Sequence, residues 1–283
     1  QFGLASLASQ MMNEGTETRS AEEFEKELDK LGSTIGVGAG NESLSVNMQT
    51  LAGNLDATLA LLDERLFHSA YTQEDLERLR QQAIESIQAE QEEPSGIAAK
   101  AWGKLIYGDG HAYAVSSLGN IDTLQSLTLD DIKAFAPANL TAQNLEIVVV
   151  GEVEQADIMA KLAFLQNLPQ SGNSVREQPA APQYTGNTLY LIDKPGAAQS
   201  EIRVGYLSDV QYDPTGVYFE RQLMNYVLGG AFNSRINLNL REEKGYTYGA
   251  RSGFSAGRLP GPFTASASVR TDTTADAVVQ FVN

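Results

Sequence analysis

Two histidines, His68 and His111, are the first candidates for metal binding or acid–base catalysis in this sequence. A hydrolytic zinc site needs two or three His or carboxylate ligands on rigid elements, together with a general base. The two histidines lie far apart in the chain, and neither belongs to an HExxH or HxxEH pattern. His68 ends a leucine-rich helix, where an imidazole suits the negative end of the helix dipole. Both are therefore interpreted as structural or surface histidines.

Other catalytic constellations are also missing from the sequence. The chain contains no cysteine, which excludes a thiol nucleophile, a cysteine zinc site and a disulfide framework. No GxSxG nucleophile elbow is present. The run Gly36 to Gly40 (GVGAG) resembles part of a phosphate-binding loop, but it lies between strands rather than at a strand-to-helix turn. We interpret it as a strand that lets another backbone approach closely.

Composition limits the function classes further. The chain has 283 residues, of which 42% are hydrophobic and 20% charged, which is typical of a globular protein with two packed units. The formal net charge of −16 argues against a nucleic-acid partner, because no basic patch is available for phosphate contacts. The acidic surface is explained either by solubility or by attraction for basic peptides. No apolar run approaches the length of a transmembrane helix.

The first part of the chain alternates helices and strands. Ser20 and Glu23 form a capping-box pattern that predicts a helix ending at Gly32. Two alternating runs, Ile35 to Ala39 and Leu44 to Met48, predict an antiparallel pair. Further predicted elements are a helix with leucines from Leu51 to Leu66, a polar helix ending before Pro94, a helix from Ser95 to about Ile106, a helix from Leu129 to Phe135, a buried strand from Leu145 to Gly151, and a helix from Gln155 to about Leu165.

A composition break rich in Pro, Ser, Gly and Gln separates two predicted domains, residues 1–170 and 186–283, with residues 171–185 as linker. In the second domain the pattern predicts strands at Thr188–Asp193, Glu201–Leu207, Tyr248–Phe254 and Phe263–Val269, and helices at Val217–Leu228, Asn233–Leu240 and from about Thr273. Helices with mostly antiparallel strands indicate the α+β class, with helices on one face of each sheet. The two domains are read as a degenerate repeat.

The most specific run in the chain is Leu240 to Gly249 (LREEKGYTYG). It closely resembles the LR-x-EKG-x-xYG signature of the M16 metallopeptidases, the pitrilysin, insulinase and processing-peptidase family. Similar stretches are Asn144–Val153 and the GGAFNSR run from Gly229 to Arg235. The resemblance covers nearly all of the chain, and it implies further strands and helices before Gln1 and after Asn283, so that the second domain is truncated.

In the M16 family, an arginine and a tyrosine seven positions later reach a zinc site that lies in the other half of the enzyme. The resemblance assigns these roles to Arg241 and Tyr248. A guanidinium or a phenol can hold a substrate carbonyl and stabilise an oxyanion. The structural alternative is that Arg241 pairs with Glu242 or Glu243 on a surface helix, while Tyr248 merely packs.

Active M16 halves carry an HFLEHMLFKGT segment, whose counterpart here is Leu7 to Thr16. The correspondence places Ser6 and Gln10 at the two zinc histidines and Ser9 at the general-base glutamate. The third ligand, a glutamate about 76 residues beyond the second histidine, corresponds to Ser86. Neighbouring Glu85 points about 100° away around the helix. The resemblance therefore implies that this chain binds no zinc or other cofactor.

These correspondences imply an inactive partner half of a zinc-dependent M16 peptidase. The catalytic half, with its zinc, belongs either to the same polypeptide or to a separate subunit, and the substrate is an unfolded peptide. The alternative is a non-catalytic scaffold or peptide-binding protein with the M16 fold. Family analogy favours a bacterial periplasm over the cytoplasm.

Overall fold

The structure is a computed structural model that describes residues 1–172 and 178–283. The chain forms two compact units, Gln1–Ile87 with Ser116–Glu177, and Gln88–Val115 with Gln178–Asn283. Each unit combines helices with a small antiparallel sheet, so the predicted α+β class is confirmed. Over the two described ranges, no helix is both long and apolar enough to cross a membrane.

Each compact unit consists of two separate stretches of the chain, whereas each predicted domain is one continuous range. Residues 88–115 group with the second unit, although they belong to the predicted first domain. Residues 173–177 of the predicted linker lie outside the described residues. The boundaries at 170 and 186 therefore stay a prediction.

The helices and strands of the two units share one stretch of common order. The helices are α1 (Leu4–Met11), α2 (Ala21–Leu31), α3 (Leu55–Phe67), α4 (Gln73–Glu92), α5 (Pro94–Tyr107), α6 (Ile121–Ser126), α7 (Leu129–Asn139), α8 (Gln155–Lys161), α9 (Val217–Asn225), α10 (Arg235–Asn237) and α11 (Thr274–Val282). The strands are β1 (Thr34–Ala39), β2 (Leu44–Gln49), β3 (Gln199–Leu207), β4 (Ala250–Phe254) and β5 (Pro262–Arg270). The order α1-α2-β1-β2-α3 in the first unit recurs as α9-α10-β4-β5-α11 in the second, which agrees with the predicted repeat.

Local signals in the sequence account for the start and end of α2. The Glu23 N–H donates to Ser20 Oγ at 3.3 Å, and the Ser20 N–H donates to Glu23 Oε2 at 2.9 Å, which completes the predicted capping box. Gly32 ends the helix with a left-handed φ of 58°. The apolar face of α2 buries Phe24 and Leu28 against β1 and α3.

The two sheets are antiparallel throughout. In the first unit β1 pairs with β2, with Val37 opposite Val46. In the second unit the strand order is β3-β5-β4, so β5 is central and pairs along its length with β3. The core of that unit lies between this sheet and the helices, around Ile202, Leu240 and Val269.

A buried arginine joins four parts of the first unit. The Arg65 side chain on α3 is 1% exposed, and its Nη1 donates to the carbonyl of Ile35 on β1 at 2.6 Å. Its Nη2 lies 3.1 Å from Glu25 Oε1 on α2 and 3.4 Å from the carbonyl of Asn13 after α1. The guanidinium carbon lies 4.1 Å from the ring centroid of Phe24, a cation–π distance. The charge is therefore paired, hydrogen-bonded and stacked, as burial requires.

Two of the predicted strands are wrong. Leu145 to Gly151, predicted as a buried strand, has no strand pairing, and Val148 and Val150 are 78% and 94% exposed. Thr188 to Asp193 is likewise outside any strand, with Leu191 88% exposed. A β-branched run raises the propensity for extended structure, but a strand exists only where a neighbour completes its hydrogen bonds. The other predicted strands are present with ends shifted by one or two residues, and the sequence analysis missed α6.

The replacement Arg65→Met tests the role of the buried guanidinium. We expect a loss of about 2–3 kcal/mol in the free energy of unfolding, because the Ile35 carbonyl loses a buried donor. Urea unfolding followed by circular dichroism measures the loss. The control Lys26→Met changes an exposed residue on α2. Equal stability of the two variants would show that Arg65 contributes no more than a surface charge.

The replacement Val150→Lys tests the exposure of the Leu145–Gly151 segment in the 283-residue chain. We expect a stability change within about 0.5 kcal/mol, since a lysine there stays in water. The matched replacement Val37→Lys, at a buried position of β1, is expected to cost about 3 kcal/mol or more. A loss at Val150 as large as that at Val37 would contradict the exposed placement.

Candidate functional site

The run with the candidate arginine and tyrosine forms the end of a helix and the turn into β4. After α10 the chain continues as a π-helical segment, Leu238–Glu243, which carries Arg241. Gly245 then takes a left-handed φ of 64°, and its N–H donates to the Arg241 carbonyl at 3.2 Å. This is the backbone conformation that favours glycine at a helix end, which explains the glycine of the EKG sequence.

Arg241 is one-third exposed, and two neighbours contact its guanidinium. Its Nε lies 3.3 Å from Glu242 Oε1, and its Cζ lies 4.5 Å from the ring centroid of Phe232. The Phe232 ring is itself 66% exposed, so it forms a flat support under the charge at the surface. Among the described residues, no hydrogen bond engages the two terminal nitrogens of Arg241. Those donors retain capacity for a further acceptor.

The structural alternative required Tyr248 to pack against its own unit, and it does not. Its side chain is 93% exposed. The residues on either side of it form a tight turn, in which Thr247 Oγ1 donates to the Gly249 carbonyl at 3.0 Å and accepts the Gly249 N–H at 3.1 Å. The pairing of Arg241 with Glu242 in the same alternative is present, at the surface.

Hydrogen bonds at both ends fix the loop that carries Tyr248. At its start, the Arg270 N–H donates to the Tyr246 carbonyl at 3.2 Å, and the Tyr246 hydroxyl donates to Asp276 Oδ2 at 2.6 Å. The hydrogen bond to Asp276 raises the pKa of the Tyr246 phenol. At its end, the Ala250 N–H donates to Oδ1 of Asn237 at 2.9 Å. The loop backbone is therefore held while the tip residue stays in solvent.

A separate pair of buried polar residues joins the end of α9 to β4. Nδ2 of Asn225 donates to the Ser252 carbonyl at 2.7 Å, and Ser252 Oγ donates to Asn225 Oδ1 at 2.5 Å. Gly229 lies directly against Ser252, and any side chain there would collide with it, so this position of the GGAFNSR run needs glycine. Sequence reasoning missed Phe232 and Asn237 as parts of the site, although Phe232 lies in the GGAFNSR run. The Asn237 bonds to Phe232 and Ala250 form no recognisable sequence pattern.

The four positions that the sequence analysis assigned to zinc-site residues lie on two helices of the first unit. Ser6, Ser9 and Gln10 are on α1, where Gln10 Nε2 donates to Ser6 Oγ at 3.3 Å. Ser86 is an exposed residue on α4, and its hydroxyl donates to the Gln82 carbonyl at 2.9 Å. Both helices contribute to one apolar cluster, together with residues of α6, α7 and the segment between them: Leu7, Ala8, Met11, Leu76, Leu79, Ala83, Ile87, Leu124, Leu127 and Ile132.

The residues at these positions do not fit zinc. Hydroxyl and amide groups are poor replacements for the imidazole and carboxylate ligands that zinc prefers. Within residues 1–172 and 178–283, no three His, Cys, Asp or Glu side chains are grouped to hold a metal. Ser6 and Gln10 do share one side of α1, the relation that paired zinc histidines need.

The two histidines occupy other surroundings. His68 is exposed at the end of α3, with Nδ1 3.5 Å from Glu17. His111 is buried, its ring stacks 4.8 Å from Tyr107, and its Nδ1 accepts the Tyr113 N–H at 3.1 Å. Burial lowers the pKa of His111. This agrees with their interpretation as a surface and a structural histidine.

Comparison with known proteins gives the family. The family description "Insulinase (Peptidase family M16)" matches residues 1–111, and "Peptidase M16 inactive domain" matches residues 126–283. An uncharacterized zinc protease of Rickettsia felis is 24% identical over 270 residues, covering 95% of this chain and 64% of the relative. The non-peptidase homolog YmxG of Helicobacter pylori is 24% identical over 262 residues, covering 90% and 59%.

Solved structures show the same fold. The crystal structure of a peptidase M16 inactive domain from Pseudomonas fluorescens superimposes with a TM-score of 0.88 at 25% identity, covering 98% of this chain and 67% of that one. The periplasmic protease PqqL from Escherichia coli gives a TM-score of 0.75 at 13% identity, covering 98% and 30%, which concerns the fold alone. The chain thus spans about two thirds or less of these relatives. Since the inactive-domain description alone covers more than half of the chain, the protein belongs to peptidase family M16.

Proposed function

We propose that this chain is a non-catalytic half of an M16 peptidase, which binds an unfolded peptide and presents Arg241 and Tyr248 to a catalytic half. The observation that carries the proposal is the placement of Tyr248. A phenol that is 93% exposed on a loop whose backbone is fixed at both ends is held ready to contact a group outside its own unit. Burial in a shared chamber with a partner half would supply that contact.

The chemistry of the pair suits a peptide substrate. The terminal nitrogens of Arg241 can donate to a peptide carbonyl, and the same donors stabilise the negative charge that develops on that oxygen during hydrolysis. The Tyr248 hydroxyl is a second donor for the same oxygen or a neighbouring carbonyl. When bound in the catalytic half, zinc supplies the activation of water. This chain supplies orientation and electrostatic stabilisation.

The partner and substrate follow from the same proposal. The catalytic half carries an HxxEH motif and is either part of the same polypeptide or a separate subunit. An extended peptide can add a strand to a sheet edge, and β3 and β4 are the outer strands of the second sheet. The net charge of −16 favours basic over acidic peptides.

The second candidate function is a scaffold or peptide-binding protein that keeps the M16 fold without assisting catalysis. Two observations favour it. Arg241 already pairs with Glu242, which weakens its charge for a substrate. One relative is named a non-peptidase homolog. In this function the exposed pair has no catalytic consequence.

The replacement Arg241→Ala separates the two functions. The chain is co-expressed with the HxxEH-bearing half from the same genome, and hydrolysis of a fluorogenic peptide is followed. Loss of an oxyanion donor is expected to lower kcat by about 100-fold. The control Arg251→Ala removes an exposed arginine on β4 of the same unit. If Arg241→Ala changes kcat/KM by less than about twofold, a role of Arg241 in holding the substrate (the clamp) is excluded and the scaffold function is favoured.

The degenerate zinc positions have their own test. Inductively coupled plasma mass spectrometry of the dialysed chain is expected to find less than about 0.1 zinc ion per molecule. The reason is that Ser6, Gln10 and Ser86 carry no side chain that zinc prefers as a ligand. In the variant Ser6→His/Gln10→His, two imidazoles on one side of α1 are expected to raise the zinc content clearly above wild type. Stoichiometric zinc in the wild-type chain would overturn the correspondence of these positions.

A further inference from the structure

A single buried amide bonds both to the residue that supports Arg241 and to the strand that follows Tyr248. Asn237, the last residue of α10, is 4% exposed. Its Nδ2 donates to the carbonyl of Phe232 at 2.7 Å, and its Oδ1 accepts the N–H of Ala250 at 2.9 Å. Neither bond belongs to a helix or a sheet ladder. They satisfy main-chain groups of the segment before α10 and of the first residue of β4, which otherwise lose a partner.

Each of these two bonds leads to one member of the pair. Phe232 holds the ring on which the Arg241 guanidinium rests, 4.5 Å from the ring centroid. Ala250 follows Tyr248 by two residues and begins β4. The Asn237 amide therefore fixes the position of Phe232, which supports Arg241, relative to Ala250, where the loop of Tyr248 ends.

The chemistry of this position requires an amide of this length. Asparagine offers one donor and one acceptor on a short planar group. Aspartate keeps the acceptor for Ala250 but loses the donor for the Phe232 carbonyl, and burial of its charge is unfavourable. Leucine has a similar shape and neither function.

We propose that Asn237 is the positioning residue of the Arg241–Tyr248 pair, an inference that rests on the proposed function of that pair. It touches neither substrate nor reacting atoms. It acts by holding Phe232 beneath Arg241 and the start of β4 behind Tyr248. A position error of about 1 Å in such a group can lower a rate by about 100-fold, so its effect on kcat is expected to approach that of removing Arg241.

The test reads the position of Arg241 by a signal that does not depend on activity. In the chain labelled with ¹⁵N-arginine, the Nε–H resonance of Arg241 is identified by its loss in Arg241→Lys. A proton above an aromatic ring is shifted by the ring current, so Phe232→Leu moves this resonance. Since Phe232 is largely exposed, that variant keeps the fold. We expect Asn237→Asp to move the resonance toward its position in Phe232→Leu.

A matched control is available in the same unit. Asn225 is also a buried asparagine, 2% exposed, and its amide bonds to Ser252 on β4. Asn225→Asp imposes a comparable burial cost without touching Phe232 or Ala250. We expect it to leave the Arg241 resonance in place. Circular dichroism verifies that each variant is folded, and Asn237→Ser replaces Asn237→Asp if the latter is not.

The possible results separate the two proposals. An Arg241 resonance that stays at its wild-type position in the folded Asn237 variant overturns the positioning role. A resonance that shifts equally in Asn225→Asp overturns it as well, because the effect would then be general. A shift confined to the Asn237 variant, together with a reduced kcat and unchanged KM in the presence of the catalytic half, supports both proposals. The same shift with unchanged hydrolysis in Arg241→Ala supports positioning and refutes the clamp.

Discussion

A buried peptide group needs a hydrogen-bond partner, and in this protein asparagine side chains meet that need where helices join strands. In the first unit, Asn13 after α1 accepts the Val37 N–H at 2.9 Å and donates to the Val37 carbonyl at 2.7 Å. It thereby occupies the side of β1 that faces away from β2. In the second unit, Asn225 and Asn237 make the corresponding contacts to β4. With sheets of only two and three strands among the described residues, the helix-to-strand geometry depends strongly on these amides.

How far the sequence predicts the structure depends on the distance between interacting groups. The cap at Ser20, the end at Gly32 and the β1–β2 pair depend on neighbours a few residues away, and all three were predictable. The predictions of strands at Leu145–Gly151 and Thr188–Asp193 were wrong because strand formation depends on a neighbouring strand, which composition does not reveal. The motif pointed to Arg241 and Tyr248 as candidates. The contacts by which Phe232 and Asn237 support the pair arise from folding, and the GGAFNSR run that contains Phe232 did not reveal them.

In the first unit, the apolar core is separate from the positions that the family resemblance assigns to zinc ligands. The apolar cluster of α1, α4, α6 and α7 contains residues such as Leu7, Met11 and Leu76, whose side chains are not zinc ligands. The positions that correspond to ligands lie beside this cluster and carry small polar groups that bond within their own helices. The core of this unit therefore does not depend on which side chains occupy those positions.

The two exposed apolar segments have a consequence for how the chain behaves in solution. Leu145 to Val150 reads LEIVVV, with β-branched residues, no proline and one charge, and Leu189 to Ile192 is similarly apolar. Uncovered segments of this composition pair readily with strands of another molecule. The net charge of −16 opposes such encounters by mutual repulsion, which salt screens over about 8 Å at physiological ionic strength. For a chain of these 283 residues, colloidal stability is therefore set by a balance between strand pairing and charge repulsion, and it falls as ionic strength rises.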